Sequence, residues 1–229
     1  MRIIDYFMME YENIIFFDVE TTGLSFSHDD VIEFSCIHIK APGTMKTYDW
    51  LIKIDRPLPP FITQLTHITN DILAEKGVVR KRVVNYFSDE ILKNEKSLLV
   101  AHNANFDLNF ISAMFEKENK KLNWNNIDAI DTLTILKDRK PYPHKLSDAI
   151  QAYNLEKYVQ NTHRAIDDTK ATFFVFEKMC IENSDVKEYI NLFGFNPKYG
   201  IKKQDMLPRI KYFKQIYNNA HKLYEYNGG

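Results

Sequence analysis

Hydrophobic residues fall along this chain in two rhythms. Short unbroken apolar runs closed by polar or turn-forming residues predict buried strands, and a spacing of three to four predicts helices. Residues 13–18 (Asn-Ile-Ile-Phe-Phe-Asp) form an apolar run that ends in an acid, which predicts a central strand with Asp18 at its end. Residues 31–39 and 48–54 are rich in β-formers, and Ala41-Pro42-Gly43 between them predicts a hairpin connection. Pro57, Pro59 and Pro60 then end sheet structure, and Thr69 is placed to cap a short helix running to Lys76. Residues 80–94 carry helical spacing through Val83, Val84, Phe87, Ile91 and Leu92. A short strand over 98–101 leads into His102. A helix over 105–118 gathers Phe106, Phe110, Ala113 and Met114 on one side. Residues 127–131 predict a strand, 132–137 and 145–153 helices, and 165–182 a longer helix with Phe173, Phe176, Met179 and Cys180 inward. A last helix is expected over about 207–226, with Ile210, Phe213, Ile216 and Tyr217 on one face. Strands and helices in this order predict an α/β sandwich, and the early hairpin makes its sheet mixed.

Composition adds little to that picture until it is divided. The 229 residues are 45% apolar and 27% charged, with a net charge of -1, as in an ordinary globular chain. Residues 186–229, however, hold eight Lys/Arg against three Asp/Glu, a net of +5, whereas 1–185 carry -6. The pattern therefore predicts a body over 1–185 and a basic extension over 186–229. The extension is a solvated face or a contact for a polyanion. Cys36 and Cys180 stand alone in apolar stretches, so neither a disulfide framework nor a zinc site is expected. No apolar run approaches the roughly 20 residues that span a bilayer. The first ten residues mix Arg2 with Asp5 and Glu10 and lack a signal-peptide pattern, so the expected location is cytoplasmic and no membrane partner is expected.

Candidate chemistry is concentrated in three acidic segments. The first is Asp18-Val19-Glu20-Thr21-Thr22-Gly23-Leu24, where Asp18 and Glu20, two apart on a strand, face one side and can share a cation. Oxygen-only ligation suits Mg²⁺ or Mn²⁺. Gly23 allows close backbone approach or positive φ, and Leu24 offers an apolar surface to a base. The second is His102-Asn103-Ala104-Asn105-Phe106-Asp107, with Asp107 in the first turn of a helix and Phe106 either in the core or stacking on a base. The third is His163-Arg164-Ala165-Ile166-Asp167-Asp168. His163 and Asp168 are five apart and cannot share a helical face, so His163 belongs to the preceding loop, where an imidazole can take a proton from water. Asp167 reads as a solvated first-turn acid, and Arg164 as a contact for phosphate or for solvent. Each segment alone is also an ordinary strand end or helix start.

Together, intact, in order and 89 and 61 residues apart by their aspartates, the three segments resemble the histidine-containing branch of the DEDD 3′→5′ exonucleases, the family of bacterial polymerase proofreading subunits. The resemblance runs from about residue 13 to 180. It implies a ribonuclease-H-like fold with a mixed five-stranded sheet flanked by helices, to which the pattern adds a C-terminal helical extension. It implies that Asp18, Glu20, Asp107 and Asp168 hold two Mg²⁺ or Mn²⁺ and that His163 is the general base. It also implies that Thr21, Gly23 and Leu24, with Asn103 and Phe106, line the pocket for a terminal nucleotide. The tyrosine branch is excluded, because Arg164 stands where it would carry tyrosine. Leu65-Thr66-His67-Ile68-Thr69 resembles the family's Thr-Gly-Ile-Thr region, which makes Leu65 and Thr66 further substrate contacts; His67 departs from the usual glycine.

The implied reaction is hydrolysis of single-stranded or frayed DNA ends to nucleoside 5′-monophosphates, in proofreading or repair, alone or beside a DNA polymerase. An exoribonuclease of the same family is the alternative, as is a silent module that binds nucleic-acid ends or a polymerase. Two like charges about 4 Å apart cost about 4 kcal/mol at an effective dielectric near 20, so four converging carboxylates require cations.

Overall fold

The chain was analysed as a computed structural model that describes residues 7–40, 43–216 and 221–225. Asn13–Thr21 forms β1, which runs three residues beyond the expected end at Asp18. Val31–Lys40 (β2) and Thr44–Leu51 (β3) follow as antiparallel neighbours, with Gly43 at φ 94° before β3. Ala41 and Pro42 of the expected hairpin connection lie outside the described residues. Ser97–Ala101 (β4) and Ile127–Asp131 (β5) add in parallel on the other side of β1, giving the order β3-β2-β1-β4-β5.

β1 is apolar throughout its first half because both of its faces are covered. Ile14 and Phe16 point into one core with Phe176 and Met179, while Ile15, Phe17 and Val19 point into the other with Leu108 and Phe110. The helices that supply these cores are Ala104–Glu116, Thr132–Arg139, Leu146–Ala152 and Ala165–Glu182, all close to their expected spans. Cys36 and Cys180 are free and buried, as expected.

One helix is missing from the sequence reading. The proline run does more than end the sheet: Pro60 opens a helix over Pro60–Thr66 (α1), where a missing N–H costs nothing. Thr69 caps the next helix, Asn70–Lys76 (α2), by accepting the Ile72 N–H at 3.1 Å. Arg80–Tyr86 (α3) continues through a wider π-type turn over Phe87–Leu92. Ala104–Glu116, Thr132–Arg139, Leu146–Ala152 and Ala165–Glu182 are α4 to α7.

The helix expected over 207–226 does not form in its described part. Arg209 adopts φ 64°, Lys211–Lys214 is a strand (β7), and Leu223–Glu225 is one 3₁₀ turn. β7 pairs in parallel with Leu192–Phe195 (β6), and Tyr212 and Phe213 pack toward opposite cores, the alternation of a strand. A spacing of three between Ile210, Phe213 and Ile216 misled because a partner strand from 192–195 is invisible in local pattern. Residues 217–220 and 226 of that expected helix lie outside the described residues.

Candidate active site

The carboxyl ends of the parallel strands β1 and β4 meet at the centre of the sheet, where the chain first crosses from one half to the other. Open α/β sheets place ligands at such points. Asp18 and Glu20 lie on the β1 face that packs against α7, and ligand atoms of Asp18, Glu20 and Asp168 all lie within 4.8 Å of one another. Asp168 arrives on the first turn of α7.

Asp107 stands beside this trio. It is buried in the first turn of α4, and its Oδ1 accepts the Val19 N–H at 3.2 Å, between Asp18 and Glu20 in the chain. It falls outside the tightest group of three, yet its charge is, after burial, the largest influence raising the Asp18 carboxyl.

Burial and mutual repulsion push the whole cluster toward protonation. Asp18 and Asp107 lie well above the usual carboxylate range, burial being the main cause in each. Glu20 is raised to about 9 by burial and by Asp168 and Glu33, and Asp168 to about 7 by burial. The Oδ1 atom of Asp168 is buried without a hydrogen-bond partner. A buried, unpartnered carboxylate oxygen facing two more carboxylates fits a divalent cation, and the all-oxygen donor set fits Mg²⁺ or Mn²⁺.

His163 is exposed on the loop before α7, with φ 55°, and among the described residues no hydrogen bond or ion pair holds its ring. What holds its backbone is a pair that sequence reasoning missed. Glu33 is fully buried on β2, opposite Glu20 in the β1–β2 register. Its carboxylate accepts Arg164 Nε at 3.0 and 3.1 Å and the Ala165 N–H at 2.8 Å. Arg164 neutralises Glu33 and ties the His163 loop and the start of α7 to the sheet. An acid inside the otherwise apolar stretch Val31-Ile32-Glu33-Phe34 was the available signal. Asp167 is also engaged, accepting the Thr162 hydroxyl at 2.7 Å.

A second supporting carboxylate, Asp131, ends β5. It accepts the N–H groups of Asn103 (2.8 Å), Ala104 (3.2 Å) and Leu133 (3.1 Å) and the Thr134 hydroxyl (2.7 Å). It thereby fixes Asn103 at φ 70° and the N-terminus of the helix that carries Asp107. His102 is spent on structure, bridging Thr132 Oγ1 and the His144 carbonyl at 3.0 Å each.

The expected pocket residues divide into framework and surface. Thr21 is buried and donates to the Gly23 carbonyl at 2.6 Å. Gly23 lies in close approach to Asp29, since a Cβ there would sit 2.5 Å from Asp29 Oδ2 and displace that side chain. Asp29 in turn accepts the Ser25 N–H at 2.9 Å and the Thr22 hydroxyl at 3.1 Å, which stiffens the loop. That loop presents Leu24, 87% exposed, to solvent. Phe106 is half-buried against Phe110 (centroids 4.7 Å apart), and the Asn103 side chain is exposed. Together Leu24, Asn103 and Phe106 line one open cleft. Leu65 is 45% exposed at the end of α1. Thr66, by contrast, is fully buried; its hydroxyl donates to the Ile62 carbonyl at 2.9 Å and accepts the Ile68 N–H at 3.2 Å. The expected direct contact from Thr66 is therefore corrected: it shapes the turn that presents Leu65. His67 closes α1 in the left-handed conformation (φ 59°), the position where a helix ordinarily takes glycine.

An acid trio on a β-β-β-α-β-α-β-α framework, with the first strand central, defines the class: an α/β nuclease-type domain of the ribonuclease-H-like fold. The exonuclease family model matches residues 15–176, and the chain belongs to that family. It is 38% identical over 178 residues to the PolC-type DNA polymerase III of Mycoplasma genitalium, covering 73% of this chain and 12% of that protein. It is 34% identical over 176 residues to the Bacillus subtilis PolC-type enzyme (75% and 12%), and 30% identical over 191 residues to the 3′-5′ exonuclease DinG of Staphylococcus epidermidis (80% and 20%). The chain thus spans a fifth or less of these curated relatives. Among solved structures it is similar in fold to a zinc-bound E. coli ExoI–ssDNA complex, with TM-score 0.68, 17% identity, and coverage of 79% of this chain and 43% of the other. No helix among the described residues is long and apolar enough to cross a membrane.

Proposed function

We propose that this domain is a divalent-metal-dependent 3′→5′ exonuclease that hydrolyses single-stranded or frayed DNA ends to nucleoside 5′-monophosphates. The observation that carries the reading is the convergence of Asp18, Glu20 and Asp168 within 4.8 Å, with an unpartnered oxygen on Asp168. Asp107 completes the proposed ligand set. Asp18, Glu20, Asp107 and Asp168 would hold a pair of divalent ions, which when bound would neutralise their charge, acidify the attacking water and stabilise the leaving 3′ oxygen. His163, untethered on its loop, takes the proton from that water. Leu24 and Phe106 flank the terminal base, a contact that tolerates any sequence because every base has a flat face. Asn103 and Leu65 border the sugar and base of the same nucleotide. The polymerase names of the relatives support work at replication ends beside a DNA polymerase, and hence in the bacterial cytoplasm.

The test is a time course with purified protein, Mg²⁺ or Mn²⁺, and single strands labelled at either end. A 3′ label is expected to leave at once as mononucleotide, and a 5′ label to shorten stepwise. No release under any metal would leave an end-binding module as the function. Faster loss of a matched RNA strand would make the domain an exoribonuclease.

A further inference from the structure

Residues 192–214 lie beyond the segment matched by the exonuclease family, yet they are built onto the helix that carries Asp107. Asn109 Nδ2 donates to the Asp205 carbonyl at 3.0 Å, and the Tyr212 hydroxyl donates to Asn105 Oδ1 at 2.6 Å. Gly194 N–H donates to Thr134 Oγ1 at 2.9 Å, and Arg209 pairs with Asp128 at 2.8 Å. These contacts fix the extension beside the first turns of α4 and α5.

Two open clefts result, and they share a border. One, of about 350 Å³, lies between the Leu24 loop and Phe106 and is walled on its far side by Lys202 and Gln204. The other, of about 320 Å³, passes over Lys137 and is walled by Phe195 and Tyr199. Both are bordered by Asn103, Asn105, Lys202 and Asp205, so they lie side by side, a grooved surface from the proposed terminal-nucleotide pocket to the face of the extension. Its volumes are those of clefts that hold small organic groups.

The groove's chemistry is cationic and aromatic. Lys202 is exposed and has no ion pair among the described residues. Tyr199 is 77% exposed, with Lys198 Nζ 5.5 Å from its ring centre. Asp205 is the acid on the wall that opposes them, whereas the Asp131 carboxylate is consumed by three N–H groups and a hydroxyl. Lysines for a phosphate backbone beside an open aromatic face for bases are the means by which proteins hold single strands. We propose that residues 192–214 form a strand-binding wall that receives the nucleotides 5′ of the terminal one. This rests on the exonuclease reading above.

The experiment compares wild type with Lys202→Glu, Tyr199→Ala and their combination, using Lys121→Glu, far from the groove, as the charge-matched control. Two readouts are taken: kcat/KM on thymidine oligomers of two and roughly twelve nucleotides with Mn²⁺, and anisotropy of the labelled longer oligomer with Ca²⁺. The combined variant is expected to lose about tenfold of the long oligomer's advantage over the short, through KM, and Lys202→Glu to flatten the salt slope by about 0.7. Length preference and calcium-supported binding equal to wild type in the combined variant would overturn the wall. Wild type that degrades neither oligomer would overturn the exonuclease reading instead, and the binding arm would still decide the wall: weaker binding in the variants supports it, equal binding removes it.

Discussion

Two sets of carboxylates belong to one sheet and live differently. Those around β5 are satisfied. Asp131 receives three N–H groups and a hydroxyl, and Asp128 receives the Tyr11 hydroxyl at 2.9 Å, Asn191 Nδ2 at 2.6 Å and Arg209 at 2.8 Å. Those at the end of β1 are starved. Asp18, Glu20 and Asp168 face one another, and Asp168 Oδ1 has no partner. A protein that needs an acid for its own fold surrounds it with donors. Acids left short of donors inside a cleft are kept for something that arrives from outside. Glu33 marks the boundary: it lies opposite Glu20, yet Arg164 and the Ala165 N–H satisfy it fully.

Breaking the starved set should act on chemistry and spare the fold. Asp18→Asn or Asp168→Asn is expected to lower mononucleotide release by about a thousandfold or more, several kcal/mol of lost transition-state stabilisation. Without metal, the same variants should melt no lower than wild type, because a repelling charge is gone. Normal turnover in either would remove it from the ligand set.

His163→Ala tests the untethered member of the site. Turnover should fall about a hundredfold while metal binding, followed by Mn²⁺ titration calorimetry, persists. Loss of metal binding would make His163 a ligand.

The satisfied set should respond in the opposite sense. Asp131→Ala strips four hydrogen bonds from buried or half-buried donors and is expected to lower unfolding free energy by about 2–4 kcal/mol, with or without metal. Glu33→Gln should combine both behaviours, with reduced stability from an orphaned Arg164 and slower turnover from a loosened His163 loop. Urea unfolding and nuclease rates measured on one preparation separate the two effects. An Asp131 variant as stable as wild type would erase the contrast between the sets.

The smallest effect is a slope. Glu20 and Asp168 have folded pKa values raised to about 9 and about 7 from 4.5 and 3.8. Between those limits the folded state binds more protons than the unfolded chain, so metal-free stability falls as pH rises from about 4 to about 9. Melting in chelator should drop across that window, and Mg²⁺ should restore most stability at the alkaline end. A flat metal-free profile would show that the acids ionise without mutual cost.

Local pattern was enough for most elements and for the acids themselves. Apolar runs buried on both faces mark β1 and β4, helical spacing marks α4 and α7, and three motifs in order single out Asp18, Glu20 and Asp168, which the fold brings together. Pattern alone did not reveal that Thr66 turns inward, that Glu33 needs Arg164, or that residues 211–214 pair with 192–195. The last two depend on partners 131 and 19 residues away in the chain. A strand's pairing, a carboxylate's donors and a hydroxyl's direction are set by what the fold brings alongside them. The chemical identity of the acids was written in the chain; which of them would be left short of donors was decided only when the sheet and α7 closed around them.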